Sequence, residues 1–371
     1  MADDVRRHRL RRLALFAVIA AIQFIVFEAA LRTWGSSEAA PAFQGLFAND
    51  AVIGYRLKPG AQVRFATADF DTQISINSTG VRDDEEIGDK PPDERRILVL
   101  GDSLVLSVQV PFQQTFCELL EQRLNRTASR VHYRVINAGV QGYGPVHELL
   151  FFRSLLPVVK PDVIIETLFV GNDIEDAVAT QALLQGSPRP ITETMREATT
   201  TRLRRIVRRS MVLQVLRVRA LAATARFTRT AGPPEPPLQS YAAQPAPRIA
   251  RGLNVIHRVV QQIEAEGRAA GARTAVMLMP ARFQVNDVDY ANLREVVEQA
   301  GGQLIRDAAT QRIDQALEDL PVARFDALPA LRAAGADVFF ISTVHLTPHG
   351  HEVVAEAVEQ FLRGSRLLDG F

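Results

Sequence analysis

From about residue 95 onward, short unbroken apolar runs alternate with longer stretches in which apolar residues recur every three or four positions. The runs cover residues 97–100, 131–136, 163–170 and 274–279. They are short and rich in Val, Ile and Leu, so they predict strands buried on both faces. The stretches at 114–124, 146–156, about 253–270 and 352–362 predict amphipathic helices. The strands end at polar or glycine-bearing turns: Gly101-Asp102-Ser103, Asn137-Ala138-Gly139, Gly171-Asn172-Asp173 and Pro280. Strand, turn and helix in repeated alternation predict an α/β architecture with a mostly parallel sheet covered by helices. Ligands of such sheets bind beyond the carboxyl ends of the strands, so chemistry is expected at these turns.

The first ninety residues read differently. Residues 1–12 carry Arg6, Arg7, Arg9, Arg11 and Arg12 against Asp3 and Asp4, and an almost purely apolar run follows at 13–31. As a helix that run reaches about 29 Å, close to the hydrocarbon thickness of a bilayer. The basic flank predicts an N-terminus inside and everything after Arg32 on the far side. A cleaved signal peptide is the alternative. No small-x-small site follows at once, the first lying near Ala40 beside Pro41, so a retained anchor is expected. Residues 33–92 predict a linker and a small β-rich lead-in. There, 63–65 and 72–76 alternate polar and apolar positions between Pro59-Gly60 and Asn77-Ser78-Thr79-Gly80. The charged, Pro-containing stretch 83–92 predicts a surface connection.

A third pattern interrupts the alternation at about 192–247. Residues 199–229 are strongly basic, with Arg202, Arg204, Arg205, Arg208 and Arg209 among nine arginines, and Leu203, Val207, Leu213 and Leu216 form an apolar stripe. Such a helix lies on an anionic surface, receives an acidic polymer, or is a packing helix with a solvated face. Residues 232–247 are rich in Pro and Ala and predict a flexible segment. The expected organisation is an anchor at 1–32, the lead-in at 33–92, and one α/β domain at 93–371 carrying this insertion.

Composition mainly excludes. The chain has 371 residues, 47% hydrophobic and 23% charged, enough to bury a core and too apolar for disorder. Only Lys58, Lys90 and Lys160 are lysines, so 40 of the 43 basic residues are arginines, yet the formal net charge is +1. No nucleic-acid partner is expected from that balance. Cys117 stands alone in an apolar run, which rules out an intramolecular disulfide and predicts a small core residue.

The candidate chemistry sits at the turns. Ser103 places a hydroxyl at the sheet edge near a helix N-terminus, a position that favours developing negative charge, although Ser and Asp are also ordinary helix caps. Gly142, in Gly139-Val140-Gln141-Gly142-Tyr143-Gly144, lets a backbone N–H approach a ligand, and Asn172 carries a side-chain amide donor. His345 precedes the last helix in Val344-His345-Leu346-Thr347-Pro348-His349-Gly350-His351. A serine, two further oxyanion donors and a histidine are the parts of acyl transfer. His349 and His351 lack a matching Asp, Glu or Cys cluster, so no metal is expected. Asp102 and Asp173 are expected to fix turns and cap helices, and His132, His147 and His257 to be surface or strand-end residues.

With these residues in place the chain, over about 93–365, resembles the SGNH (GDSL-type) hydrolases and acyltransferases. Ile97-Leu98-Val99-Leu100-Gly101-Asp102-Ser103 matches the first block of that family, Gly142 the second-block glycine, Gly171-Asn172-Asp173 the third block, and His345-Leu346-Thr347-Pro348-His349-Gly350-His351 the last. The lead-in Ile76-Asn77-Ser78-Thr79-Gly80-Val81-Arg82-Asp83 is similar to that of exported, membrane-anchored members. The resemblance implies a three-layer α/β/α, flavodoxin-like fold and no cofactor. It implies Ser103 as nucleophile, His345 as general base, and an oxyanion hole from Ser103, Gly142 and Asn172. One position departs from the pattern. The family's aspartate two or three residues before the histidine is replaced here by Thr343 and Ser342, and Asp337, expected within or before a strand, lies eight residues upstream. That aspartate normally fixes the imidazole tautomer. The sequence therefore leaves open a Ser–His dyad oriented by a backbone carbonyl or Ser342, a carboxylate supplied from elsewhere, or a lost activity.

The functional expectation is a serine-dependent hydrolase of O-acyl, above all O-acetyl, groups on envelope or extracellular glycans. The anchor would hold it in the cytoplasmic membrane with its catalytic domain in the periplasm. The alternatives are an O-acetyltransferase of the same fold, drawing on a membrane acyl-donor protein, and a non-catalytic glycan-binding or assembly protein.

Overall fold

The computed structural model describes residues 45–67, 69–127, 130–185 and 238–369, together with Gln23. The chain divides into two units, and apart from Gln23 the described residues all belong to the one formed by 42–188 and 235–371. The rest of the expected anchor and the basic segment 199–229 lie outside the described residues. Among the described residues no helix is long and apolar enough to cross a membrane.

Two hairpins open this unit. β1 (Phe47–Asp50) pairs antiparallel with β2 (Gly54–Leu57), and β3 (Gln62–Ala66) with β4 (Asp71–Ser75). β3 and β4 coincide with the alternating stretches of the sequence, because period-two patterning suits strands with one buried face. Five strands then form one sheet: β5 (Glu94–Gly101), β6 (His132–Gly139), β7 (Val163–Phe169), β8 (Arg273–Met279) and β9 (Ala323–Asp326). Their spatial order is β6-β5-β7-β8-β9, and every pairing is parallel. The chain runs from β5 outward to β6, then returns past β5 to β7. This is the doubly wound order, and its switch point lies between β5 and β7, where such sheets open a crevice at the strands' carboxyl ends.

Helices pack in two groups. α2 (Phe116–Thr127) lies against β6 and against the last helix, α10 (Pro348–Gly364). α3 (Pro145–Val159) and α5 (Pro247–Ala269) lie against β5 and β8 respectively and against each other. The strand residues between them are buried along most of β5 to β8, which is why these strands read as continuous apolar runs. Cys117 is fully buried in the core, as its apolar neighbours predicted.

Four expectations need correction. The stretch after residue 82 does not begin on the surface: Arg82 and Asp83 are buried, and the Asp83 carboxylate accepts from the Arg134 guanidinium at 3.1 Å, which satisfies both charges. The expected flexible segment ends early. Gln239, Ser240 and Tyr241 are buried, and the Tyr241 hydroxyl donates to the Val170 carbonyl at 2.9 Å. Asp337 lies in a single 3-10 turn, Ala336–Val338, rather than at a strand. His147 sits in the first turn of α3, its ring stacked on Tyr143 with centroids 5.1 Å apart.

Candidate active site

Ser103 follows the last residue of β5 and opens α1 (Ser103–Leu106), a four-residue helix whose N-cap is Asp102. The Asp102 carboxylate accepts from the Leu104 N–H at 2.8 Å, the capping role expected of it, and burial pushes that carboxyl up to about 7. So short a helix has no stability of its own. It is held from outside. Arg82, fully buried, donates to the carbonyls of Leu106 (2.7 Å), Ser107 (2.5 Å) and Val110 (2.7 Å), so the guanidinium caps the helix's C-terminal end. The Asn137 amide donates to the Val105 carbonyl at 2.7 Å. Gly139 makes the seat: a Cβ there would come within 2.2 Å of the Leu106 nitrogen. Ser103 is thus fixed by the end of β6 on one side and the lead-in on the other.

His345 reaches Ser103 from the far end of the chain. Its Nε2 lies 3.0 Å from the Ser103 Oγ, a hydrogen bond across 242 positions. His345 sits on a tight loop closed by an antiparallel bridge between Phe339 and Leu346 and by the Phe340 N–H donating to the His345 carbonyl at 3.0 Å. Inside the loop the His345 N–H donates to the Thr343 hydroxyl at 3.2 Å. Arg282, in α6 (Arg282–Val285), clamps it by donating to the carbonyls of Phe340 (3.0 Å), Ile341 (2.5 Å) and Thr343 (3.2 Å). Arg282 is itself held by Asp289 at 2.6 Å. Burial lowers the His345 pKa to about 4, so the imidazole is neutral near pH 7. A neutral ring whose Nε2 accepts from Ser103 carries its proton on Nδ1. That Nδ1 is buried and has no hydrogen-bond partner among the described residues.

The other sequence-predicted residues lie past the ends of the two strands that neighbour β5, Gly142 beyond β6 and Asn172 beyond β7. Gly142 has φ +75°, a left-handed conformation that favours glycine, and its turn is braced by Tyr55, whose hydroxyl donates to the Gln141 carbonyl at 2.9 Å. Asn172 caps the start of α4 (Asp173–Thr180), and its amide donates to Asp176 at 2.6 Å, which still leaves it a second N–H. Gly144 packs so tightly on Asp176 that a Cβ would lie 2.7 Å from that residue's own Cβ, so the Gly142 turn and the helix of Asn172 adjoin. His351 is fully buried against the Phe116 ring and its Nδ1 accepts from the Phe116 N–H at 3.2 Å. Among the described residues no group of His, Cys, Asp and Glu could hold a metal ion.

Behind the nucleophile lies a set of buried carboxyl groups that the sequence did not flag. Glu166, on β7, pairs in register with Leu100. Glu148 of α3 faces it, and all four oxygens of the pair lack a donor from any other described residue. Burial raises both carboxyls, Glu166 to about 7, and the nearness of Glu166 raises Glu148 as well, so the pair favours holding a proton between them. Asp173 is likewise pushed up by burial while its carboxylate accepts from the Phe169 N–H at 2.7 Å.

Three supporting residues, Arg82, Arg282 and Tyr55, escaped the sequence reading as members of the site. Arg82 had a signal, since it belongs to the quoted lead-in motif; Arg282 and Tyr55 act on backbone carbonyls far away in the chain and had none.

No family model matches the chain, and no curated protein matches it. Solved structures do. One is the crystal structure of TesA, at 16% identity and TM-score 0.38, covering 73% of this chain and 99% of that one. A second is the psychrotrophic esterase EstA from Pseudoalteromonas sp., at 14% identity and TM-score 0.39, covering 73% and 98%. A third is the acetyl xylan esterase AlAXEase, at 12% identity and TM-score 0.40, covering 71% and 98%.

Proposed function

We propose that this protein is a serine-dependent acyl-transfer enzyme, acting first as an ester hydrolase. One observation carries the reading: a neutral imidazole lies 3.0 Å from a serine hydroxyl at the switch point of a parallel sheet whose two adjacent strands lead into a left-handed glycine turn and an amide donor. The chemistry follows from that geometry. The Ser103 Oγ attacks an ester carbonyl while its proton passes to His345 Nε2. The carbonyl oxygen becomes an oxyanion, which the N–H groups of Ser103 and Gly142 and the Asn172 amide would receive. Collapse expels the alcohol, which takes the proton from Nε2, and the acyl group stays on Ser103. Water then repeats the sequence and releases a carboxylic acid.

The substrate proposed is an O-acyl group, above all O-acetyl, on an envelope or extracellular glycan, with the enzyme tethered outside the cytoplasmic membrane by the apolar run 13–31. The basic flank of that run and the motif resemblance support this. A sugar hydroxyl in place of water would make the same centre an O-acetyltransferase, and product analysis with a glycan acceptor present separates the two.

The test is p-nitrophenyl acetate hydrolysis and fluorophosphonate labelling of the full chain. Ser103→Ala should abolish both, and His345→Ala should lower kcat by about 10⁴ or more. In the wild type the acidic limb of kcat/KM should fall near pH 4, below the ordinary histidine range, because burial disfavours the imidazolium. A folded chain that shows neither hydrolysis nor labelling would turn the reading toward glycan binding.

A further inference from the structure

The base lacks an acceptor that the mechanism calls for. For Nε2 to accept from Ser103 the His345 proton must sit on Nδ1, which is buried and unpartnered among the described residues. An unmet buried donor is costly, and a nearby anion would stabilise the imidazolium formed during the reaction. The two residues that replace the expected aspartate behave differently. The Thr343 hydroxyl is engaged within the loop, accepting from the His345 N–H. The Ser342 hydroxyl is exposed and donates to the carboxylate of Asp69.

Asp69 belongs to the lead-in, in the turn between β3 and β4, and that turn is built to hold it. The Thr67 hydroxyl accepts from the N–H groups of Asp69 (3.2 Å) and Phe70 (3.3 Å), and the Thr67 N–H donates to the Phe70 carbonyl at 2.8 Å. The Phe70 ring packs between Phe65 and Phe340, with centroids 5.3 and 5.7 Å away, and so joins the turn to the histidine's own loop. From β4, the Thr72 hydroxyl donates to the Val108 carbonyl at 2.6 Å, just beyond the nucleophile helix. Other carboxylates nearby are engaged: Asp71 pairs with Arg64, and Asp289 with Arg282. Among the described residues Asp69 forms no ion pair. Among the described residues the ionisable groups on the elements around His345 include Arg282 on the loop carbonyls, Asp102 capping the helix of Ser103, and His351, which burial holds neutral with a pKa of about 3.

We propose that Asp69 is the orienting carboxylate of this site, delivered by the lead-in hairpin and acting on His345 through Ser342. It is a positioning residue: through Ser342 it fixes the loop that carries the imidazole, and its negative charge lies on that loop when the imidazolium forms. The inference rests on the acyl-transfer reading above. It also makes the lead-in a part of the active site, since Tyr55 braces the Gly142 turn while Asp69 braces the base.

The experiment compares Asp69→Asn, Asp69→Glu, Ser342→Ala and the double variant Asp69→Asn/Ser342→Asp in the full chain. Asp69→Asn should lower kcat for p-nitrophenyl acetate about tenfold or more with little change in KM, and should move the acidic limb to lower pH. Asp69→Glu should keep most of the activity. The double variant, which puts a carboxylate at the position it holds in the resembling family, should restore the limb. In parallel, the His345 ring is followed by NMR titration, its signal assigned with His345→Gln, and Asp69→Asn should lower its pKa. An Asp69→Asn enzyme within twofold of wild type, with limb and titration unmoved, would overturn the proposal. If the wild type neither hydrolyses nor labels, the acyl-transfer reading fails. The NMR titration then still decides whether Asp69 governs the imidazole.

Discussion

The two halves of the candidate site are held in opposite ways. The turn of Ser103, residues 101–107, lies inside the core and is fastened by buried partners: Arg82 on its carbonyls, Asn137 on Val105, and Gly139 beneath it. The loop of His345, residues 339–346, lies at the edge, with Ile341 95% exposed at its tip, and is fastened by side chains reaching in from Arg282 and Asp69. Packing density explains the difference in kind. A turn inside the core cannot move without leaving buried groups unpaired, whereas a surface loop keeps its geometry only as long as its few tethers hold. Damage to the first half should therefore appear as lost folding, and damage to the second as lost rate.

The largest expected effect breaks the buried half. Arg82→Met should strand three buried carbonyls and lower stability by roughly 3 kcal/mol or more, read as a shift of the urea midpoint. The next breaks the exposed half. Arg282→Ala should lower kcat on p-nitrophenyl acetate by about 10–100-fold, because small displacements of a catalytic group are costly, while the urea midpoint moves by only about 1 kcal/mol. If both variants lose stability equally, the contrast is wrong.

A smaller effect sharpens the comparison through pH. The Glu148–Glu166 pair belongs to the nucleophile's side, and burial raises both carboxyls above the ordinary glutamate value of 4.5. The folded state thus holds more protons than the unfolded chain, so stability is greatest below about pH 4.5 as far as this pair is concerned and declines as pH rises through 7. The melting temperature should fall by several degrees between pH 5 and 9, and Glu166→Gln should flatten that slope. His345 has the opposite sign. Its lowered pKa favours folding above pH 6.5 and costs stability as pH falls toward 4.

Much of this protein was legible in the chain itself. Apolar runs placed β5, β6, β7 and β8 to within a few residues, because a strand buried on both faces has no choice but to be apolar throughout. The turns ending those strands singled out Ser103, Gly142 and Asn172, since only polar or glycine residues suit the open edge of a parallel sheet. Local patterning could not show that residues 83 and 239–241 are buried, because the partners that satisfy their polar groups are distant in the chain, as Arg134 is for Asp83 and the Val170 carbonyl for Tyr241. It could not show Glu148 facing Glu166, which are eighteen positions apart on a helix and a strand. Nor could it show that the hydroxyl replacing the expected aspartate meets a carboxylate 273 positions away. Sequence determined the elements, because hydrophobic period and turn chemistry act over a few residues. Tertiary structure decided which side chains serve the histidine, because hydrogen bonds between distant segments leave no period in the sequence.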